Sequence, residues 1–220
     1  MGIAYNPRIV TDNLLLYVDA SNTIIPRIGN TSLTANGGVS GPSNGYYTFD
    51  GTDDAYAINS SVYNTTYTGK TVIVAARIGA VYGTPPLFRG MIGTSSSTNL
   101  RNFNFYTYKD NTGFRFHFST GNGVANSGTF SNYLSLVENQ WFIGAVSLNS
   151  SNSVTYYLNG NAVGTSTQTF SQFNSGTNEF LGRADPYWVG DIAYSMVYGK
   201  ALTAQEIQQN FNATRSRYSI

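Results

Sequence analysis

Apolar residues along this chain come in short runs, separated by stretches rich in Gly, Asn, Ser and Thr. Two runs alternate with period 2. Residues 114–118 (FRFHF) change between Phe and polar side chains at every step, and residues 102–108 (NFNFYTY) do so except at Phe105-Tyr106, the period of half-buried strands. Lys109-Asp110-Asn111-Thr112-Gly113 joins them, a loop of hairpin length. Other runs are more continuous: residues 14–18 read as a buried strand, 71–76 are β-branched and bounded by Gly69 and Gly79, and 141–148 are strongly apolar. Residues 46–49 and 55–58 flank the turn residues Asp50-Gly51-Thr52-Asp53-Asp54. Residues 154–158 and 161–164 flank Asn159-Gly160, a dipeptide suited to a type I′ hairpin turn. Residues 180–182 and 187–198 complete the strand series.

A single helix stands out. Thr203 and Glu206 have capping-box spacing, and Ile207 and Phe211 then share one face at i, i+4. The helix is expected to run to about Thr214. Many short strands followed by one C-terminal helix define an all-β antiparallel sandwich and not parallel α/β units. No linker or repeat divides the chain. The expected organisation is an N-terminal arm over 1–11, one domain over 12–214 and a tail over 215–220.

Composition narrows this further. The 220 residues include 23 Gly, 17 Tyr, 13 Phe and no Cys, and only 10% are charged. Charge is well below the roughly 25% of average soluble domains, while the aromatic content excludes ordinary disorder. A net charge of +1 with no basic run gives no case for nucleic acid. Residues 71–81 are too short to span a bilayer and contain Arg77, so no membrane segment is expected. Without cysteine there are no disulfides and no thiolate chemistry. The first residues, MGIAYNPR, lack an apolar h-region, so synthesis in a cytoplasm without a signal peptide is expected.

Five blocks in order carry a family resemblance: FDGTDDAY (49–56), WFIGAV (141–146), YLNG (157–160), GDIAYSMVY (190–198) and ALTAQEI (201–207). Together they resemble laminin G-like domains of the concanavalin A-like lectin/glucanase superfamily, over about residues 12 to 214. The ends, residues 5–14 and 210–218, look like those of such domains in tailed-phage virion proteins, notably cyanophage-like ones. The resemblance implies a jelly-roll of two antiparallel sheets and, by family habit, a place on a particle surface.

Catalytic chemistry has little to stand on. A glycosidase needs two carboxylates flanking the scissile bond, and related glucanases carry a Glu-x-Asp-x-Glu type strand. Here Glu138, Glu179 and Glu206 lie in separate segments. His117 shares a strand face with Arg115 and reads as a polar-face residue. No nucleophile-elbow or nucleotide fingerprint is present. Relatives of this superfamily hold hard cations at the sandwich rim. Calcium needs six to eight oxygens, and Asp53 and Asp54, with nearby Asn59, are candidates to supply some; the alternative is that they close the turn through Asx-type hydrogen bonds. For sugar or partner contact the candidates are Tyr187 and Trp188, in a loop-like segment, with Tyr63, Tyr67 and Tyr82.

The leading expectation is a non-enzymatic virion surface protein: a capsid decoration or cement protein that binds the assembled phage shell, alone or as a homo-oligomer, and needs no cofactor. Arg8, Arg215 and Arg217, near the termini, are the expected anchors. The alternative is a lectin-like adhesin or tail-fibre module binding host-surface polysaccharide, with or without calcium. A polysaccharide-degrading enzyme is a third reading.

Overall fold

The continuous apolar runs and the alternating runs fall in different layers. In the computed structural model, which describes residues 8–21, 25–26, 32–59, 69–80, 83–94, 103–121, 126–169, 179–184 and 186–220, the strands are β1 (Leu14–Asp19), β2 (Ile25–Pro26), β3 (Ser32–Asn36), β4 (Ser40–Ser43), β5 (Tyr46–Asp50), β6 (Ala55–Asn59), β7 (Lys70–Ile78) and β8 (Leu87–Thr94). There follow β9 (Asn104–Lys109), β10 (Phe114–Gly121), β11 (Asn126–Phe130), β12 (Trp141–Leu148), β13 (Ser153–Leu158), β14 (Asn161–Thr167), β15 (Glu179–Leu181) and β16 (Val189–Tyr198). Helix α1 (Ala204–Thr214) closes the series, with a short 3-10 turn at Arg215–Arg217.

Two antiparallel sheets face each other. The nine-stranded sheet runs β14-β13-β12-β7-β16-β1-β2, with β5 also on β16 and β4 on β5. The seven-stranded sheet runs β11-β10-β9-β8-β15-β6-β3. This is the expected all-β sandwich with a C-terminal helix, in a jelly-roll arrangement. Between the sheets, Val72, Val74, Ala76 and Ile78 of β7 meet Phe105, Phe114, Phe116 and Phe118 of the opposite layer in one core.

A second cluster explains why β7 and β12 are apolar on both faces. Ile73, Ala75, Ile143 and Ala145 point out of the sandwich and are buried under Val10, Leu202, Ile207 and Phe211. The helix and the terminal segments thus form a third layer on the nine-stranded sheet. A strand covered on both sides loses its alternation, as in other doubly covered sheets. Strands β9 and β10 keep theirs because the helix lies on the other sheet.

The local signals behave as their chemistry requires. Glu206 N donates to Thr203 Oγ1 (3.3 Å), and Thr203 N donates to Glu206 Oε2 (2.9 Å). Asn159 and Gly160 both take positive φ, at 49° and 80°, in the turn between β13 and β14. The turn at residues 50–54 is a corner, not a hairpin: β5 belongs to one sheet and β6 to the other.

The described parts of both termini are tied down by the chain itself. Val10 N donates to Asn210 Oδ1 (2.8 Å), and Tyr198 Oη donates to Val10 O (2.9 Å). At the other end Arg217 grips Asp19 with both guanidinium nitrogens, each at 2.7 Å. Burial works against the Asp19 charge, but hydrogen bonds from Arg217, Tyr17 and Ser21 outweigh it and hold the carboxyl at about 2. A depressed carboxylate contributes stability above its unfolded pKa and loses it as pH falls through the folded one. Arg217→Ala is therefore expected to cost about 1.5 kcal/mol near neutrality, as for hydrogen bonds to charged groups. The gap between variant and parent should close between about pH 4 and 2. Urea unfolding across that range checks it.

Candidate functional site

Each sheet has one inner face in the core, so function must use an outer face or a rim. The outer face of the nine-stranded sheet lies under the helical layer. Among the described residues no helix covers the outer face of the seven-stranded sheet.

That face is aromatic. Because Phe114, Phe116 and Phe118 of β10 point inward, Arg115 and His117 point outward. The β9–β10 register sets Arg115 opposite Tyr108 and His117 opposite Tyr106. Neighbouring strands add Phe88 opposite Tyr108 and Phe130 opposite His117. Ring centroids lie 4.6 Å apart for Phe88–Tyr108, 5.2 Å for Tyr108–Phe130 and 4.5 Å for His117–Phe130. Phe88, Tyr108, His117 and Phe130 are half-exposed, while Tyr106 is buried beneath them. Four adjacent strands therefore present one aromatic platform.

Arg115 holds its edge. The guanidinium carbon stands 4.7 Å from the Phe130 centroid, 4.8 Å from Tyr133 and 5.4 Å from Tyr108. Its Nη2 donates to Asp110 Oδ2 at 3.0 Å, and Tyr133 Oη donates to the same oxygen at 2.9 Å. Burial opposes the Asp110 charge, but these bonds and those from the Thr112 and Gly113 amides prevail and lower its pKa. Tyr133, 49% exposed, is among the most exposed large hydrophobic side chains described. An aromatic face with a fixed cation and a fixed carboxylate offers stacking surface together with directional hydrogen-bonding groups, the usual make-up of a small-ligand site.

The segment carrying Tyr187 and Trp188 borders this face on the β8 side. A Cβ at Gly90 would stand 2.3 Å from Ala184 N and 2.7 Å from Pro186 O, so glycine lets that segment lie directly on the strand. Gly90 N donates to Pro186 O at 3.1 Å, fastening it there. Tyr187 is half-exposed, with the Arg183 guanidinium 4.7 Å from its ring. Trp188 corrects the sequence reading. It lies just before β16, is fully buried in the inter-sheet core with Val189, and presents no face to a ligand.

The remaining expected residues fall elsewhere. Tyr63, Tyr67 and Tyr82 lie outside the described residues. Arg8 and Arg215 are exposed on the helical layer: Gln209 Nε2 of α1 donates to Arg8 O at 2.7 Å, and Arg215 stacks 5.6 Å from the Phe211 ring. The Arg217 guanidinium is held within the chain by Asp19 and Ser21. Asp53 and Asp54 sit at the corner between the sheets, together with Asp50. Asn59 ends β6.

Tyr108, Phe130, Phe88 and Tyr133 were not singled out by the sequence reading. The alternation of 114–118 marks one outward face, but the pairing that brings four strands' aromatics together is a matter of register. That register is not written in any one strand.

The described carboxylates are largely spoken for. Asp12 and Glu206 pair with Lys200, Asp19 with Arg217, Asp110 with Arg115, Glu138 with Lys109 and Asp191 with Arg77. Among the described residues the aromatic face therefore carries no pair of free carboxylates.

The fold and these sequence blocks place the chain in a family. Residues 49–208 match a laminin G-like family model described as the concanavalin A-like lectin/glucanase superfamily, and the chain belongs to it. No curated protein sequence matches. Similar solved structures include the receptor-binding domain of botulinum neurotoxin C/D mosaic serotype, with a TM-score of 0.71 at 12% identity over 92% of this chain and 51% of that one. The binding domain of botulinum neurotoxin DC in complex with rat synaptotagmin II has a TM-score of 0.69 at 16% identity over 91% and 51%. A type C neurotoxin structure, whose cell entry is described as dependent on two ganglioside molecules, has 0.67 at 16% over 91% and 51%. The chain spans about half the length of these structures, and at such identities the likeness is one of fold.

Proposed function

We propose that this domain is a non-catalytic, lectin-like module that binds cell-surface carbohydrate on the outer face of its seven-stranded sheet. The observation that carries the reading is the Phe88–Tyr108–Phe130–His117 platform edged by Arg115, Tyr133 and Asp110. Sugar rings present C–H groups on one face and hydroxyls around the rim. Half-exposed aromatic rings take the first by stacking, and Asp110 and the Tyr133 hydroxyl take the second by hydrogen bonding. Half-exposed aromatic side chains this close together, on a sheet face that no described helix covers, are the kind of apolar patch that marks a contact site. The descriptions of the similar structures, one naming gangliosides and another synaptotagmin, support a binding role by analogy of fold alone.

A glycan array probed with the full chain tests the proposal. Saturable binding to a defined group of glycans is expected. No saturable binding to any bacterial polysaccharide or mammalian glycan would overturn it.

Attachment to a phage particle is a second reading, favoured by the exposure of Arg8 and Arg215 on the helical layer. That layer is on the opposite side of the sandwich from the aromatic platform, so the module has room to be fixed to a shell by one side and to bind with the other. Location on the particle decides it: ordered copies over the head support decoration, and absence from purified virions rules it out.

A further inference from the structure

The helical layer leaves side chains at one end of the nine-stranded sheet half-exposed. Tyr47 and Phe49 of β5 face the core, which turns Tyr46, Thr48 and Asp50 outward. Strand pairing aligns Thr48 with Asp191, Asp191 with Arg77 and Arg77 with Trp141. One row therefore crosses β5, β16, β7 and β12, on the side of the sandwich away from the Phe88–Tyr108–Phe130 platform.

The row is held in place by its own contacts. The Arg77 guanidinium carbon packs against two rings, 5.3 Å from the Tyr46 centroid and 5.2 Å from that of Trp141. Its Nε and Nη2 reach Asp191 Oδ2 at 2.8 and 2.6 Å, and Thr48 Oγ1 donates to Asp191 Oδ1 at 2.8 Å. Tyr218 extends the stack, its ring 5.0 Å from Trp141. Tyr46, Arg77, Trp141 and Tyr218 are all half-exposed. Val137, 52% exposed, lies in the turn that leads into Trp141. Trp, Tyr and Arg are enriched at the energetic centres of protein interfaces. Side chains already fixed lose little freedom when a partner arrives.

Charge is uneven around this centre. Arg77 and Asp191 neutralise each other. On the β5 side stand the exposed carboxylates of Asp50 and Asp53, which pair with no described lysine or arginine. On the other side Arg215 is exposed, pairs with no described carboxylate and stacks on Phe211, whose ring lies at Gly160 in the β13–β14 turn. From β5 to β13 the sheet advances by four strand spacings, on the order of 19 Å. The face thus has an acidic pole, an aromatic centre without net charge and a basic pole. A partner of one sign satisfies one pole and opposes the other. A second copy, rotated by a half-turn about the centre, satisfies both, which is the self-complementarity of an isologous interface.

We propose that this end of the nine-stranded sheet is a homodimer interface, in which Tyr46, Arg77, Trp141 and Tyr218 meet their copies across a two-fold axis and Asp50 pairs with the partner's Arg215. The carbohydrate platform lies on the opposite sheet, so both copies keep it exposed, and the pairing does not depend on carbohydrate binding.

Sedimentation equilibrium of the full chain, from micromolar to millimolar concentration, tests this. A monomer–dimer equilibrium is expected, and salt should weaken it because its outer contacts are ionic. Arg215→Glu and Asp50→Lys should each raise the dissociation constant at least about tenfold, by setting like charges together. Mixing the two variants in equal amounts should restore dimers, since both contacts of the mixed pair again join opposite charges. Arg215 is exposed and its guanidinium makes no described hydrogen bond, so Arg215→Glu is expected to keep the parent's melting temperature. A monomer throughout the range would overturn the proposal. So would dimers that both variants leave intact, or a mixture no more dimeric than each variant alone.

Discussion

Glu179→Gln is expected to cost the fold about 2 kcal/mol, because the buried Glu179 charge acts on the buried Lys70 ammonium. Lys70 begins β7 in one sheet and Glu179 begins β15 in the other, and each is only 1% exposed. The Lys70 ammonium lies 4.7 Å from the Phe103 ring. Burial pushes its pKa down to about 8, and the Glu179 charge limits that fall. Without the carboxylate the buried ammonium loses a favourable charge, which makes its proton costlier to keep. The two charges thus attract each other between the layers. Two apolar residues of similar volume should replace it at little cost, so Lys70→Met combined with Glu179→Leu is expected to recover most of the loss. Urea unfolding at pH 7 checks both variants. Equal stability of Glu179→Gln and the parent would show that the two charges do not interact in the folded state.

The second large effect concerns binding. Tyr108 occupies the middle of the platform, between Phe88 and Phe130 and beside Arg115. Central Tyr, Trp and Arg side chains carry most of the energy of many interfaces, commonly about 2 kcal/mol or more on truncation. Tyr108→Ala is therefore expected to weaken glycan binding about thirty-fold. Tyr108→Phe should keep most of the affinity, since the ring supplies the stacking. Because Tyr108 is half-exposed, its removal should leave the melting temperature nearly unchanged. Arg215→Ala, on the helical layer, serves as the control and should bind as the parent does. Isothermal titration with a glycan from the array measures all four.

Much of the fold was legible in the residue pattern, and the reasons are local. Thr203 with Glu206 and Asn159 with Gly160 are short-range devices whose partners sit a few residues apart, and both form as expected. The alternation of β10 showed its buried face, while the double coverage of β7 and β12 emerged only from the fold. Strands β3, β8 and β11 were harder. Ser32–Asn36 offers only Leu33 and Ala35 as apolar positions, and Leu87–Thr94 is interrupted by Gly90 and Gly93, which serve close contacts with Ala184 and Asn104. Such glycines read as turns in sequence and as packing sites in space.

The site was less legible than the fold. Trp188 sits in a loop-like sequence just before β16 yet fills the core, because the packing around it and not composition decides where its side chain points. Tyr108 and Phe130 are 22 positions apart in the chain and meet only through the pairing of β9, β10 and β11.

The chain contains a single histidine, His117, and it lies on the proposed binding face, 4.5 Å from the Phe130 ring and 5.4 Å from Tyr106. Its ring resonances in a proton–carbon NMR spectrum of the untagged protein need no assignment beyond residue type. Titration with a glycan returned by the array should shift them saturably, with the same dissociation constant that calorimetry gives. Saturable binding that leaves the His117 resonances unmoved would contradict the placement of the carbohydrate site on the seven-stranded sheet.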